Sequence, residues 1–377
     1  MKRIILILLF FPFLLIAQNK DFSLVPGVVV AHSPKATGKY LGSPSITIMP
    51  NGHYIVSLDV FGPGQEKENI VELYKSTDKG KSWRFIRSIE GAHWSGLFNV
   101  NKKLYLLGTD IARGNLVIRM SENEGKDWSE PTIIKESPCH GSSTPVVFSS
   151  GRIYKGYDML GNDDKGLFSW MSKNSSYILS AEIHADLLQK KNWLFTDMLI
   201  KPDTMEGSGW LETNAVINTR GKIAGITRLN TIQGYKAGYF ELLNDSMIDI
   251  NSVRTINFPG GSTKFNIGYD KKSARYWSLS NVPDESLRTP EMRAGGMRSI
   301  LALTSSENLY DWKVEKIILQ TKDIEKEGFQ YVDWKFENND IVFVSRTAFD
   351  DGLGGADNFH NSNFITFHRI KEFRKNK

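Results

Sequence analysis

Ser76-Thr77-Asp78-Lys79-Gly80-Lys81-Ser82-Trp83 and Ser121-Glu122-Asn123-Glu124-Gly125-Lys126-Asp127-Trp128 are two copies of one pattern, S-x-[DN]-x-G-x-[SD]-W. An acid or amide two residues after the serine caps a tight hairpin turn. The glycine takes the left-handed conformation, and the tryptophan folds back to pack between sheets. Ser305 to Trp312 (SSENLYDW) is a decayed third copy, and Lys191-Asn192-Trp193 is the remnant of another. These Asp-boxes are structural and receive no catalytic role. A supersecondary unit recurring at about 45–60 residues points to an all-β chain folded as a β-propeller.

The surrounding sequence agrees. Short alternating apolar runs recur at 45–48, 54–57, 70–74, 104–107 and 116–119, separated by turn residues such as Pro50-Asn51-Gly52 and Asn101-Lys102-Lys103. The one helix candidate is 180–189, SAEIHADLLQ. Roughly 360 residues at about 50 per blade predict seven blades, with six as the alternative. Ring closure should pair the strand at 364–367 with the one near Val28-Val29-Val30.

Lys2 and Arg3, an apolar run over 4–16 and Ala17-Gln18 read as a secretory leader, so residues 1–17 are expected to be removed and 18–377 to form one exported propeller domain. The run is short for a membrane span, which needs about 20 residues, so no membrane association is expected. The formal charge is +5, and no Lys/Arg cluster accompanies it, which argues against a nucleic-acid partner. A single cysteine, Cys139, excludes an intrachain disulfide. Adjacent Cys139 and His140 seldom reach one tetrahedral ion, and no CxxC or HxxxH spacing exists; no metal and no cofactor is expected. Nucleotide-binding and α/β-hydrolase motifs are missing too.

Chemistry concentrates elsewhere. The stretch 345–369, SRTAFDDGLGGADNFHNSNFITFHR, is a polar, glycine-punctuated insert between two strand-like runs and carries Arg346 and His360. His32 heads Ser33-Pro34 after an apolar strand, and His140 precedes a flexible Gly141-Ser142-Ser143-Thr144-Pro145 loop. His93 beside Trp94 suits a pocket wall or an ordinary aromatic cluster equally. Polar residues at strand ends add Trp210, Glu212 and Asn214, then Arg228, Lys264, Tyr276 and Tyr331. Arginine and lysine can hold a carboxylate or sulfate, tyrosine and histidine can move protons, and tryptophan can stack on a sugar face. Together they suggest an acidic oligosaccharide or polysaccharide as the partner.

The Asp-boxes resemble those of the sialidase-like propellers. The blocks AHSPKATGKYLGSPSITIMPNGHYIVSLDVFGPG, GWLETNAV, FPGGSTKF, RYWSLSN, FQYVDW and the 345–369 stretch resemble a narrower set of secreted bacterial propellers. That set includes propeller ulvan lyases, rhamnose–glucuronate-cleaving enzymes and the ulvan oligosaccharide dehydratase. Sialidases carry an arginine triad, a Tyr/Glu nucleophile pair and an Arg-Ile-Pro motif near the first strand. Gly42-Ser43-Pro44-Ser45 stands there without that arginine, which argues against sialidase activity. The resemblance implies a carbon–oxygen lyase acting on uronate-containing, ulvan-type oligosaccharides. The uronate C5 proton is abstracted and the C4 substituent eliminated, either as a dehydratase forming a terminal 4,5-unsaturated uronate or as a lyase of the same mechanism. His140, Tyr276, His32 and Arg228 are the catalytic candidates it suggests. Trp94, Trp210, Asn214, Lys264, Arg346 and His360 are the substrate-binding candidates. The alternative is an exo-glycosidase, rhamnosidase or sialidase-like, on acidic glycans, for whose two carboxyl groups Asp59, Glu212, Asp350 and Asp351 are available.

Overall fold

The computed structural model describes residues 22–63, 69–136, 138–161 and 171–375; the leader assigned to 1–17 lies outside them. The described residues form six antiparallel sheets, the blades of a propeller, so the smaller of the two blade numbers holds. Blade I runs outward through Tyr40–Ile48, Tyr54–Phe61, Ile70–Ser76 and Arg84–Glu90; blade II through His93–Val100, Lys103–Thr109, Leu116–Ser121 and Thr132–Lys135. Blade III has a broken inner strand, Cys139–His140 then Val147–Ser149, followed by Arg152–Met159, Ser175–Glu182 and the short Trp193–Phe195 and Leu199–Ile200. Blade IV uses Trp210–Ile217, Ile223–Leu229, Lys236–Asn244 and Met247–Asn257; blade V uses Asn266–Asp270, Arg275–Asn281, Ile300–Ser306 and Trp312–Gln320. Blade VI consists of Gly328–Glu337, Asp340–Ala348 and Phe364–Ile370, completed on its outside by Val28–His32.

Ring closure therefore pairs the chain ends as expected, Val28 opposite Phe367 and His32 opposite Phe364. Division by 50 residues overshoots because long connections follow the second strands, 282–299 in blade V and 349–363 in blade VI. The helix expected at 180–189 is not formed. Its first residues finish the strand Ser175–Glu182, whose inward side chains are claimed by blade packing.

The Asp-boxes do what their residues dictate. Ser76 Oγ accepts the Gly80 N–H at 2.9 Å, and Asp78 accepts from the backbone and hydroxyl of Ser82 at 3.0 and 2.6 Å. Gly80 sits at φ +85°, and a Cβ there would fall 2.2 Å from the Phe367 ring. The copy in blade V begins at Ser306 and is one residue shorter, so Leu309 takes the left-handed position at φ 72°. Trp83 is half-buried against Phe367 and Tyr54, with ring centroids 5.4 and 6.4 Å away. Trp83→Ala should lower the melting temperature, at about 2–3 kcal/mol, below the roughly 3–5 kcal/mol of a fully buried aromatic. Thermal denaturation beside an activity assay checks this; unchanged melting with lost activity would remove Trp83 from the scaffold.

Candidate active site

Four inner strands break register at the same level: between Gly42 and Ser45, His93 and Gly96, Leu211 and Asn214, and Gln330 and Asp333. Each bulge holds one non-glycine residue in the left-handed region: Ser43 at φ 42°, Trp94 at 47°, Glu212 at 61° and Tyr331 at 51°. A bulge re-aims a side chain, and strained backbone of this kind persists only where its surroundings impose it. All four side chains line one cavity of about 230 Å³ at the propeller axis.

The neighbouring strands supply the charges from one repeated register position. Asp59 lies opposite Gly42, Asp158 opposite His140, Arg228 opposite Leu211 and Arg346 opposite Gln330. Two of these acids cap the next blade's bulge. Asp59 Oδ2 accepts the Trp94 N–H at 2.9 Å, and Asp158 Oδ2 accepts the Glu212 N–H.

Cations gather on the side of blades IV to VI. Arg228 Nε donates to the Ser262 carbonyl and Nη1 to Glu212 Oε2 at 3.0 Å, while its guanidinium also engages the Tyr331 phenol. Arg298, from the 282–299 connection, donates through Nε to Gln330 Oε1 at 3.0 Å, and its buried Nη1 has no partner among the described residues. Arg346 lies between the rings of Phe61 and Tyr331, 4.6 and 5.2 Å from their centroids. Its Nε donates to Ser362 Oγ and its Nη2 to the His360 carbonyl. Burial and the neighbouring Arg228 push the Arg298 guanidinium down to about 10; burial pushes Arg346 down to about 10 as well. No carboxylate forms an ion pair with either among the described residues.

Acidic and neutral groups face them. Burial raises the Asp59 carboxyl, only partly offset by His93, Ser43, the Trp94 N–H and Arg346. Burial would raise Glu212 too, but Arg228, with His140 and Lys264, holds it below its ordinary value. The His140 ring packs on Trp94 at 4.4 Å, and its Nδ1 lies 3.5 Å from Asp158 Oδ2. Burial and then Arg346 lower the His360 imidazole to about 4.

The break in blade III's inner strand makes the floor. Residues 141–146 cross the axis and are pinned from below. Lys155 donates to the Thr144 carbonyl at 2.6 Å and to that of Ser142 at 3.3 Å. Lys264 and Asn266 both donate to the Ser143 carbonyl, at 3.2 and 2.8 Å. Burial lowers Lys155 to about 7 and Lys264 to about 8.

Of the catalytic candidates, His140 lines the cavity and Arg228 abuts it through Glu212 and Tyr331. Tyr276 does not. It is buried between blades IV and V, its hydroxyl donating to the Ile217 carbonyl at 2.9 Å. His32 is also elsewhere, on the outermost strand of blade VI, where Nε2 meets Asp351 Oδ2 at 2.8 Å and the ring stacks on Phe364. Among the binding candidates, Trp94, Arg346 and His360 line the cavity. Trp210 is wholly buried and donates to the Asn174 carbonyl; Asn214 ties Glu212 to Phe265 and Ile267; Lys264 supports the floor. Of the four carboxyls available for a glycosidase, Asp59 and Glu212 line the cavity, while Asp351 pairs with His32 on the outer strand. Tyr331 lines it as well, and Arg298, beside Arg228, is the site residue the sequence did not signal. Cys139 points away from His140, into the core beside Tyr177 and the Glu136 carbonyl.

No protein-family model and no curated protein sequence matches the chain. Among solved structures it is similar to a protein of unknown function from Dyadobacter fermentans (TM-score 0.63, 13% identity, 92% of this chain and 98% of that one). It is also similar to an α-L-arabinanase of Penicillium chrysogenum complexed with arabinobiose (TM-score 0.58, 12% identity, 92% and 98%). The Hadza microbial sialidase Hz136 is a third (TM-score 0.60, 12% identity, 92% and 69%). At these identities the likeness is one of fold, the β-propeller.

Proposed function

We propose that this chain is a glycan-cleaving enzyme that binds a carboxylated sugar at the end of a chain and releases it by hydrolysis. The observation that carries this reading is the pair of buried guanidiniums, Arg298 and Arg346, beside Arg228 and with no carboxylate of their own among the described residues. Burying a charge without a counter-charge costs several kcal/mol, so such a cluster implies an anion supplied by the ligand. The arabinanase and sialidase among the structural neighbours support a sugar as the body that carries it.

The two cavity carboxyls are pushed in opposite directions, Asp59 up and Glu212 down. Environments that drive a pair of carboxyls in opposite directions assign the acid and the base. Asp59 then protonates the departing oxygen as Tyr331 attacks the anomeric carbon and its phenol proton passes to the Glu212 carboxylate in the same cavity; Arg228, a donor to both groups, holds them side by side and relays no proton. A neutral phenol suits a carbon near a carboxylate better than a second carboxylate would, since like charges repel. Water then releases the sugar with Asp59 acting as base.

Elimination is the second reading, favoured by the His140 ring at the cavity wall. With Tyr276 placed in the core, its proton-transfer pair becomes His140 and Tyr331, and Arg298 and Arg346 neutralise the uronate so that its C5 proton can leave. Oligosaccharides ending in N-acetylneuraminate, glucuronate or iduronate, including ulvan fragments, should be incubated with the enzyme and the products weighed. Two saturated fragments with one added water are the expected result. An ultraviolet-absorbing unsaturated uronate would instead establish elimination, as a lyase if the chain is cut and as a dehydratase if it stays whole.

A further inference from the structure

Opposite the arginines, the cavity presents polar atoms that neither the acid–base pair nor the carboxylate clamp uses. Ser142 is 3% exposed, and its Oγ lacks a hydrogen-bond partner among the described residues; the buried His93 Nδ1 lacks one as well. Both residues line the cavity. Native proteins rarely leave such atoms unsatisfied, because each costs about 1–3 kcal/mol. Their neighbours explain why they stay unsatisfied. Lys155 and the Thr144 N–H hold the Ser142 carbonyl, at 3.3 and 2.7 Å, and Lys264 and Asn266 hold the next carbonyl, so the floor cannot rotate to bring the hydroxyl to a partner. His93 is fixed by its packing on Trp94 at 4.7 Å and by its strand's pairing with Thr109.

We propose that Ser142 Oγ and His93 Nδ1 form a hydroxyl-reading subsite, which selects sugars bearing free hydroxyls on the ring edge remote from the carboxylate. The proposal rests on the anionic-sugar reading of the cavity and adds the feature that chooses among anionic sugars. A serine hydroxyl both donates and accepts, and an imidazole nitrogen does one or the other, so the pair suits sugar hydroxyls and rejects positions capped by alkyl groups. Rejection is the stronger effect, since a ligand lacking the hydroxyl leaves the protein atom buried and unpaired.

Calorimetric titration of the whole protein with D-glucuronate, D-galacturonate, L-iduronate and N-acetylneuraminate, followed by the monodeoxy analogues of whichever binds, tests this. Ser142→Ala should weaken binding of the full sugar by roughly 3- to 10-fold. One deoxy analogue should bind the wild type about 10-fold or more worse than its parent, and Ser142→Ala should erase that difference, a double-mutant cycle between protein and ligand. Ser142→Ala should also raise the melting temperature of the free protein, because it removes an unsatisfied buried hydroxyl. Ser143→Ala serves as control: its hydroxyl holds the Pro44 carbonyl at 2.6 Å, so its loss should lower stability and leave discrimination intact. If Arg298→Lys loses binding while Ser142→Ala keeps every wild-type ratio, the subsite is wrong and the carboxylate site stands. If none of the four sugars binds the wild type, both readings fall.

Discussion

Tyr331→Phe is expected to lower kcat by roughly 10²–10⁴-fold while leaving the fold and the affinity for the acidic sugar nearly intact. The substitution removes one oxygen. The ring that faces Arg346 at 5.2 Å remains, and so does the bulge that holds residue 331 at φ 51°. What disappears is the phenol that shares Arg228 with Glu212. Steady-state kinetics with a direct binding measurement separates the two effects, and turnover within a few-fold of wild type would end the role given to Tyr331. Tyr276→Phe supplies the contrast. Its hydroxyl serves the Ile217 carbonyl, so the change should cost about 1 kcal/mol of stability and leave turnover alone.

Arg298→Lys is expected to reduce kcat/KM by about 30- to 1,000-fold, or roughly 2–4 kcal/mol of lost interaction with a buried anion. The three guanidiniums are not equivalent. Arg346 spends Nε and Nη2 on Ser362 and His360, and Arg228 spends Nε and Nη1 on Ser262 and Glu212. Among the described residues Arg298 spends Nε alone, on Gln330, and so keeps the two-toothed end that matches a carboxylate. Lysine keeps the charge and loses the fork. The free protein should melt no lower, because the guanidinium it loses had an unsatisfied Nη1, whereas stabilisation by added acidic sugar should largely vanish. Equal kcat/KM in the two proteins would place the carboxylate elsewhere.

Much of the fold was legible because its devices are local. The Asp-boxes name their own turns, and the alternating runs name the strands they flank. The site was less so, since its residues converge through register. Glu212 and Tyr331 stood among the polar residues at strand ends with no role that set them apart, and nothing in the surrounding residues announces that a glutamate and a tyrosine take positive φ. Trp210 and Asn214 flank Glu212 closely yet turn into blade packing, because a single bulge decides which side chain faces the axis. Arg298 belongs to a connection with no regular pattern, so only the folded ring places it beside Arg228. One signal was available: Gly209 to Asn214 and Phe329 to Trp334 share a flavour of aromatic and polar residues at the start of an inner strand, a repeat that the structure turns into two bulges at one level.

The clasp between Val28–His32 and Phe364–Ile370 sets the order in which the ring can be made. Blades I to V are each assembled from one continuous run of chain, so their hairpins can form as soon as the segment exists. The last blade cannot: its outer strand is the first to be synthesised and must wait, edge unsatisfied, until its partner appears more than 300 residues later. Closing so long a loop costs entropy that no local contact returns, which makes docking of the first strand a late and slow event in folding. Moving residues 22–39 to follow residue 375 would turn that distant pairing into a neighbouring hairpin, so such a permuted chain should close its ring faster than the natural one.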